Sequence, residues 1–125
     1  MTTDDVVASA IEVLEIADAF TLTQAPPAES PFSDGERAYA RSCTDPDRRL
    51  AARLAAKRAA LRLLGGGLGL RDVEVVRQRG GPPHLRLSAR AQQRLAALGA
   101  NATLVSLTHE RRHAAASVLL LRGTG

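Results

Sequence analysis

The sequence predicts an α+β fold, and three observations carry that prediction. A long helical stretch opens at Asp45-Pro46 and ends at the glycine run of residues 65–69. Short alternations of apolar and polar residues lie on either side of the turn Gly80-Gly81-Pro82-Pro83. Two further apolar segments of strand length, 103–107 and 115–121, stand near the C-terminus. The chain has 125 residues, 45% of them apolar, which suffices for one modest core, so residues 1–125 are read as a single domain.

Taken in order, residues 3–20 fit two templates. Val6, Val7, Ala10, Ile11 and Leu14 recur at helical spacing, with Thr3 as a candidate N-cap and Asp4 and Asp5 in the first turn. If residues 10–16 are extended, Ile11 and Val13 share one face and Glu12 and Leu14 the other. Periodicity leans slightly to the helix. Residues 21–35 contain three prolines among turn formers and read as a loop.

Asp45 before Pro46 suits an N-cap followed by proline at the first helical position. Leu50, Leu54, Leu61 and Leu64, with the alanines between them, form an apolar stripe, and Arg49, Arg53 and Lys57 recur four apart on another face. Gly65-Gly66-Gly67-Leu68-Gly69 then ends the helix. Asp72–Arg77 and His84–Ser88 form a strand pair around the Gly-Gly-Pro-Pro turn. Ala89–Leu98 is a helix stopped by Gly99, and Thr103–Leu107 and Ala115–Leu121 are strands.

Seventeen basic and thirteen acidic residues give a net charge of +4, which conceals a division along the chain. Residues 1–36 hold eight acids and neither Lys nor Arg, whereas every basic residue, sixteen Arg and Lys57, follows. Such an excess calls for an anionic partner. Nucleic acid is not expected, because Phe20, Phe32 and Tyr39 are the only aromatic residues and no zinc-finger or helix-turn-helix pattern is present. No apolar run approaches the ~20 residues of a membrane span, and the acidic N-terminus is unlike a signal peptide, so a cytoplasmic location without membrane is expected. Cys43 stands alone and excludes an internal disulfide.

Individual motifs say less. The glycine run follows a helix and lacks the Gly-Lys-Ser/Thr of a phosphate loop, so it reads as a C-cap. Charge alone leaves Arg49, Arg53, Lys57 and Arg62 as a solvated helix face. His109 beside Glu110 could be a base with its partner, although adjacent residues point apart. Zinc is not expected from His84, His109 and His113.

In combination, four segments resemble the holo-acyl-carrier-protein synthases, small 4′-phosphopantetheinyl transferases. They are Phe32-Ser33-Asp34-Gly35-Glu36-Arg37, Arg53-Leu54-Ala55-Ala56-Lys57-Arg58-Ala59, Gly81-Pro82-Pro83-His84-Leu85-Arg86-Leu87 and Val105-Ser106-Leu107-Thr108-His109. The resemblance spans residues 10–121. It implies a 4′-phosphopantetheinyl-transferase-like fold, with an antiparallel sheet packed on a long central helix. It also implies a homotrimer with active sites between subunits, CoA or a phosphopantetheine group as donor, and an acyl or polyketide carrier protein as partner. A divalent metal such as Mg²⁺ would hold the CoA pyrophosphate while a base activates the carrier serine.

Position by position, the resemblance implies cofactor-binding roles for Lys57, Arg62, Gly65, Pro83 and His109. The catalytic positions are Glu12, Arg58 and His109. Its two metal positions are altered, since Glu12 replaces an aspartate in a strand aligned with Ala10-Ile11-Glu12-Val13, and Arg58 replaces a glutamate. Arginine is always cationic and offers no lone pair to a metal, so no metal ligand is expected there. The preferred reading is a diverged relative that binds CoA or pantetheine-linked groups, with Mg-dependent transfer lost or replaced in specialised acyl or polyketide biosynthesis. One alternative is an active transferase that recruits metal through Glu12 with Glu36 or Glu15. Another is a non-catalytic partner of a carrier protein or synthase.

Overall fold

The structure, a computed structural model, describes residues 4–78 and 80–123. Strand β1 (Asp4–Glu15) leads through a 3₁₀ turn at Ile16–Ala19 into the short helix α1 (Phe20–Thr23). Helices α2 (Asp34–Arg41) and α3 (Pro46–Leu64) follow, then the hairpin β2 (Val73–Arg77) and β3 (Pro83–Leu87). Helix α4 (Ala89–Ala97) precedes the final pair, β4 (Ala102–His109) and β5 (His113–Gly123). The fold is α+β, as the sequence predicts. A three-stranded antiparallel sheet in the order β1-β5-β4 is crossed by α3, and β2-β3 forms a separate hairpin.

Residues 4–15 are a strand, which corrects the lean towards helix. Thr3 lies outside the described residues. Pairing along β5, from Asp4 opposite Gly123 to Glu15 opposite His113, supplies what local periodicity lacks. Ala10 and Leu14 turn inward onto α3, while Ile11 and Val13 face outward at 66% and 63% exposure. Residues four apart share a face in a strand as well as in a helix, so the apolar spacing fits both. The segment read as a loop at 21–35 also shortens. It begins within α1 and ends in α2, whose first turn is closed by a capping box between Ser33 and Glu36. The Ser-x-x-Glu signature was the available signal for that helix.

Helix α3 is buried on nearly every side. Ala51, Ala52, Ala55, Ala56, Ala59 and Ala60 are at most 2% exposed, and their small side chains let the helix lie close on Ala10, Ala114 and Ala116 of the sheet. The opposite face is covered by α2 and the β2-β3 hairpin. A solvated basic face is therefore the wrong description for two of its members, since Arg53 is 2% and Lys57 0% exposed.

Lys57 is held by a full set of acceptors. Its Nζ lies 2.7 Å from Glu36 Oε1 and donates to the carbonyls of Val73 (2.6 Å) and Leu70 (3.0 Å). These three partners match the three protons of an ammonium group. Glu36 in turn accepts from the backbone N–H of Ser33 and, through Oε2, from that of Val75. The pair thereby joins α2, α3 and the first strand of the hairpin. Burial lowers the pKa of Lys57, and Glu36 opposes that shift.

Replacing Lys57 with Met leaves the Glu36 carboxylate buried without its cation, which costs about 3–5 kcal/mol. The double variant Lys57→Met with Glu36→Gln should recover part of that loss in urea unfolding.

Candidate functional site

The implied site residues fall into two groups on opposite flanks of α3. The first group surrounds the free edge of β1. Glu12 is an inward residue of that strand, between Ala10, which packs with Ala59 and Ala60, and Leu14, which packs with Ala55 and Ala56. It therefore reaches the flank of α3 at the level of Arg58 and Arg62. Arg62 Nη1 lies 2.9 Å from Glu12 Oε1, and its Nη2 donates to the Ile11 carbonyl at 2.7 Å. Arg58, one turn earlier on the same helix face, is exposed and forms no hydrogen bond or ion pair among the described residues.

Gly65 ends this flank with φ 62° and ψ −148°, a backbone region open essentially only to glycine. A Cβ there would touch nothing, so backbone conformation alone accounts for the residue. At Gly66 a Cβ would fall 2.6 Å from Nε of Arg94, whose guanidinium caps the Leu64 carbonyl.

The second group lies across the sheet. His109 ends β4, the edge opposite β1, and opens onto a cavity of about 230 Å³. Arg49, Arg53, Arg77 and Thr108 also line it. Pro83 sits opposite Arg77 in the hairpin register, and Arg77 donates to the Gly81 carbonyl at 3.1 Å. Arg53 stacks over Tyr39, 4.1 Å from the ring centroid, and its Nε has no partner among the described residues. Burial lowers its pKa, as expected for a cation withdrawn from water.

Among the described residues Asp45 is the acid paired with a member of this cluster. Its side chain makes no helix cap. Instead Oδ1 accepts from Arg49 Nε at 3.0 Å, while Oδ2 lies 3.8 Å from His109 Nε2, beyond hydrogen-bond length. The Arg49 hydrogen bond is the main reason the Asp45 carboxyl titrates below its ordinary range. Glu110 is not the partner of His109, because its carboxylate receives His113 Nδ1 at 2.7 Å and the Arg112 N–H. This concave cluster of cations suits a phosphate-bearing ligand. Sequence reading missed it, since Arg49, Arg53 and Arg77 are distant in the chain or resemble ordinary helix-surface charge.

Lys57, expected to bind cofactor, offers no free donor because all three serve the fold. A divalent cation does not fit the Glu12 flank either. Glu12 is already paired with Arg62, and a dication ~4 Å from the Arg58 guanidinium would be repelled by about 8 kcal/mol at an effective dielectric of ~20. Neither alternative acid repairs this. Glu36 is enclosed against Lys57, and Glu15 is exposed on the outward face of β1. Among the described residues no group of three His, Cys, Asp or Glu side chains could hold a metal.

No family model matches the chain. It is 37% identical over 122 residues to a holo-[acyl-carrier-protein] synthase of Anaeromyxobacter sp. (strain K), covering 92% of the chain and 94% of the relative. A synthase of Nitratidesulfovibrio vulgaris (strain Hildenborough) is 51% identical over 75 residues; that match spans 57% of the chain and 60% of the relative. Among solved structures, the Mycobacterium tuberculosis acyl carrier protein synthase superposes with a TM-score of 0.73 at 33% identity, covering 96% of the chain and 100% of that protein. A Helicobacter pylori holo-[acyl-carrier-protein] synthase in complex with coenzyme A shares the fold, with a TM-score of 0.69, 17% identity and coverage of 90% and 99%.

The cation cluster makes a direct prediction. Arg49→Gln and Arg77→Gln should each weaken the binding of inorganic phosphate in the cavity about tenfold in calorimetry, and raised salt should weaken it further. Unchanged affinity would remove the cavity from the binding surface.

Proposed function

Because the chain belongs to the holo-[acyl-carrier-protein] synthase family, we propose that it is an active 4′-phosphopantetheinyl transferase. It would move the phosphopantetheine arm of CoA to a serine of an apo carrier protein and release 3′,5′-ADP. The observation carrying this reading is the 37% identity sustained over 94% of a relative named as such a synthase. The expectation that transfer is lost or replaced finds no support in these comparisons, and the transferase alternative is the better supported. No helix among the described residues is long and apolar enough to cross a membrane.

In this reading each chain supplies two half-sites. The Arg49, Arg53, Arg77 and His109 cavity takes a phosphate at the nucleotide end of CoA, with Pro83 shaping the hairpin beside it. The Arg58 and Arg62 flank takes the pyrophosphate, and Gly65 closes the helix beneath it. Lys57 acts as a positioning residue, because it holds α3 against the hairpin that carries Arg77. Helix α3 separates the two groups within one chain, which suits a homotrimer in which the β1 edge of one copy meets the cavity of the next. The outward sheet face supports such an assembly, since Ile11, Val13 and Leu104 are 66%, 63% and 57% exposed.

The reaction needs one new bond. The serine oxygen attacks the β-phosphorus of CoA as the bridging bond to the ADP portion breaks, and 3′,5′-ADP leaves with the bridging oxygen. Negative charge gathers on the phosphate oxygens, where Arg58 and Arg62 can accept it in forked hydrogen bonds. Glu12 is the carboxylate of the same flank and takes the serine proton. Its half-exposed pair with Arg62 is worth about 1 kcal/mol, so an arriving phosphate can exchange partners at small cost.

Mass spectrometry of an apo carrier protein incubated with CoA, Mg²⁺ and catalytic amounts of the chain should show the gain of one phosphopantetheine arm. An unmodified carrier, with CoA intact, would overturn the transferase reading. Ile11→Asp should shift the assembly towards monomer in sedimentation and reduce turnover with it.

A further inference from the structure

The Arg58 flank differs from the rest of α3 in its charge balance. Arg49 has Asp45, Arg53 has the Tyr39 ring, Lys57 has Glu36, and Arg62 has Glu12. Among the described residues Arg48 and Arg58 are the cations of this helix without a hydrogen-bond or ion-pair partner, and only Arg58 is exposed, Arg48 in the first turn being partly buried. Glu12, Arg58 and Arg62 together carry one net positive charge. A dication would raise that to three, whereas the two negative charges of a bridging pyrophosphate would offset it. Arg62 is already fixed in direction by its bond to the Ile11 carbonyl, so a phosphate on this flank meets one preset guanidinium and one free one.

We infer that the Arg58 guanidinium takes the place that the family gives to a divalent cation, so that this chain grips the pyrophosphate of CoA without metal. The inference rests on the transferase reading and deepens it. A guanidinium and a hard dication serve the same electrostatic need in different ways. The cation collects phosphate and carboxylate oxygens around one centre, and its occupancy depends on the metal in solution. The arginine is part of the chain, remains charged at any working pH and bonds two phosphate oxygens in one plane. It removes metal concentration as a variable and replaces a mobile ligand with a tethered one. It also explains why Glu12, relieved of metal ligation, is bound to Arg62.

The test is calorimetry of CoA with the full chain, in Mg²⁺ and separately in EDTA. Native affinity should agree within about twofold between the two buffers. Arg58→Gln should lose about tenfold in both, with no recovery on adding Mg²⁺. Arg58→Glu should bind CoA poorly in EDTA and regain affinity with Mg²⁺ or Mn²⁺, because it restores an oxygen ligand beside Glu12. Since Arg58 is exposed and unpaired, neither variant removes a fold contact, and circular dichroism checks that. Native binding that collapses tenfold or more in EDTA would overturn the metal-free grip while leaving the transferase reading intact. Absence of CoA binding in both buffers would overturn the transferase reading, and this inference with it.

Discussion

The buried pair of Lys57 and Glu36 is the constraint around which the rest of the molecule is arranged. Two charges withdrawn from water are tolerable only when every donor and acceptor is met. Here the ammonium has three acceptors, and both carboxylate oxygens have backbone donors besides the lysine. Those partners belong to α2, to α3 and to the segment from Leu70 to Val75. Satisfying the pair therefore requires these elements to meet in one geometry, an arrangement that hydrophobic contact alone would leave looser. The aromatic ring of Phe32, 5.8 Å from Nζ, closes the remaining side.

This arrangement sets where the other cations go. With Lys57 committed to the interior, the helix turns Arg53 towards Tyr39 and the cavity, and Arg58 and Arg62 towards the β1 edge. Two cationic surfaces result, separated by a helix too well packed to let one ligand reach both by rearrangement. The alanine face of α3 contributes to this by drawing the helix down onto the sheet. A larger residue at Ala55 or Ala56 would lift the helix and carry both surfaces with it.

Some features were legible in sequence because they are local. The long helix was visible from Asp45-Pro46 to the glycine run, and the hairpin from its alternation and turn. Both C-terminal strands followed from apolar run length. The α2 helix is also written locally, in the capping box of Ser33 and Glu36, although the prolines before it mask that signal. In residues 4–15 the apolar spacing satisfied helix and strand alike, and only the β5 partner decided between them. The motif residues carried the family resemblance correctly, yet several serve packing rather than chemistry. Phe32, Glu36 and Lys57 form the buried joint, so their presence reports the fold before it reports a ligand.

By itself, then, the sequence determined the α+β class, the central helix, the excess of arginine after residue 36 and the arginine at position 58. These depend on residue type and near-neighbour spacing, which require no partner element. Tertiary structure decided which cations are buried and which are free, that Asp45 serves Arg49 rather than a helix cap, and that Glu12 faces Arg62. It also decided that the site residues divide between two flanks. Those outcomes depend on burial and on contacts between segments tens of residues apart, where the same arginine can be a solvated charge, a core member or a phosphate ligand.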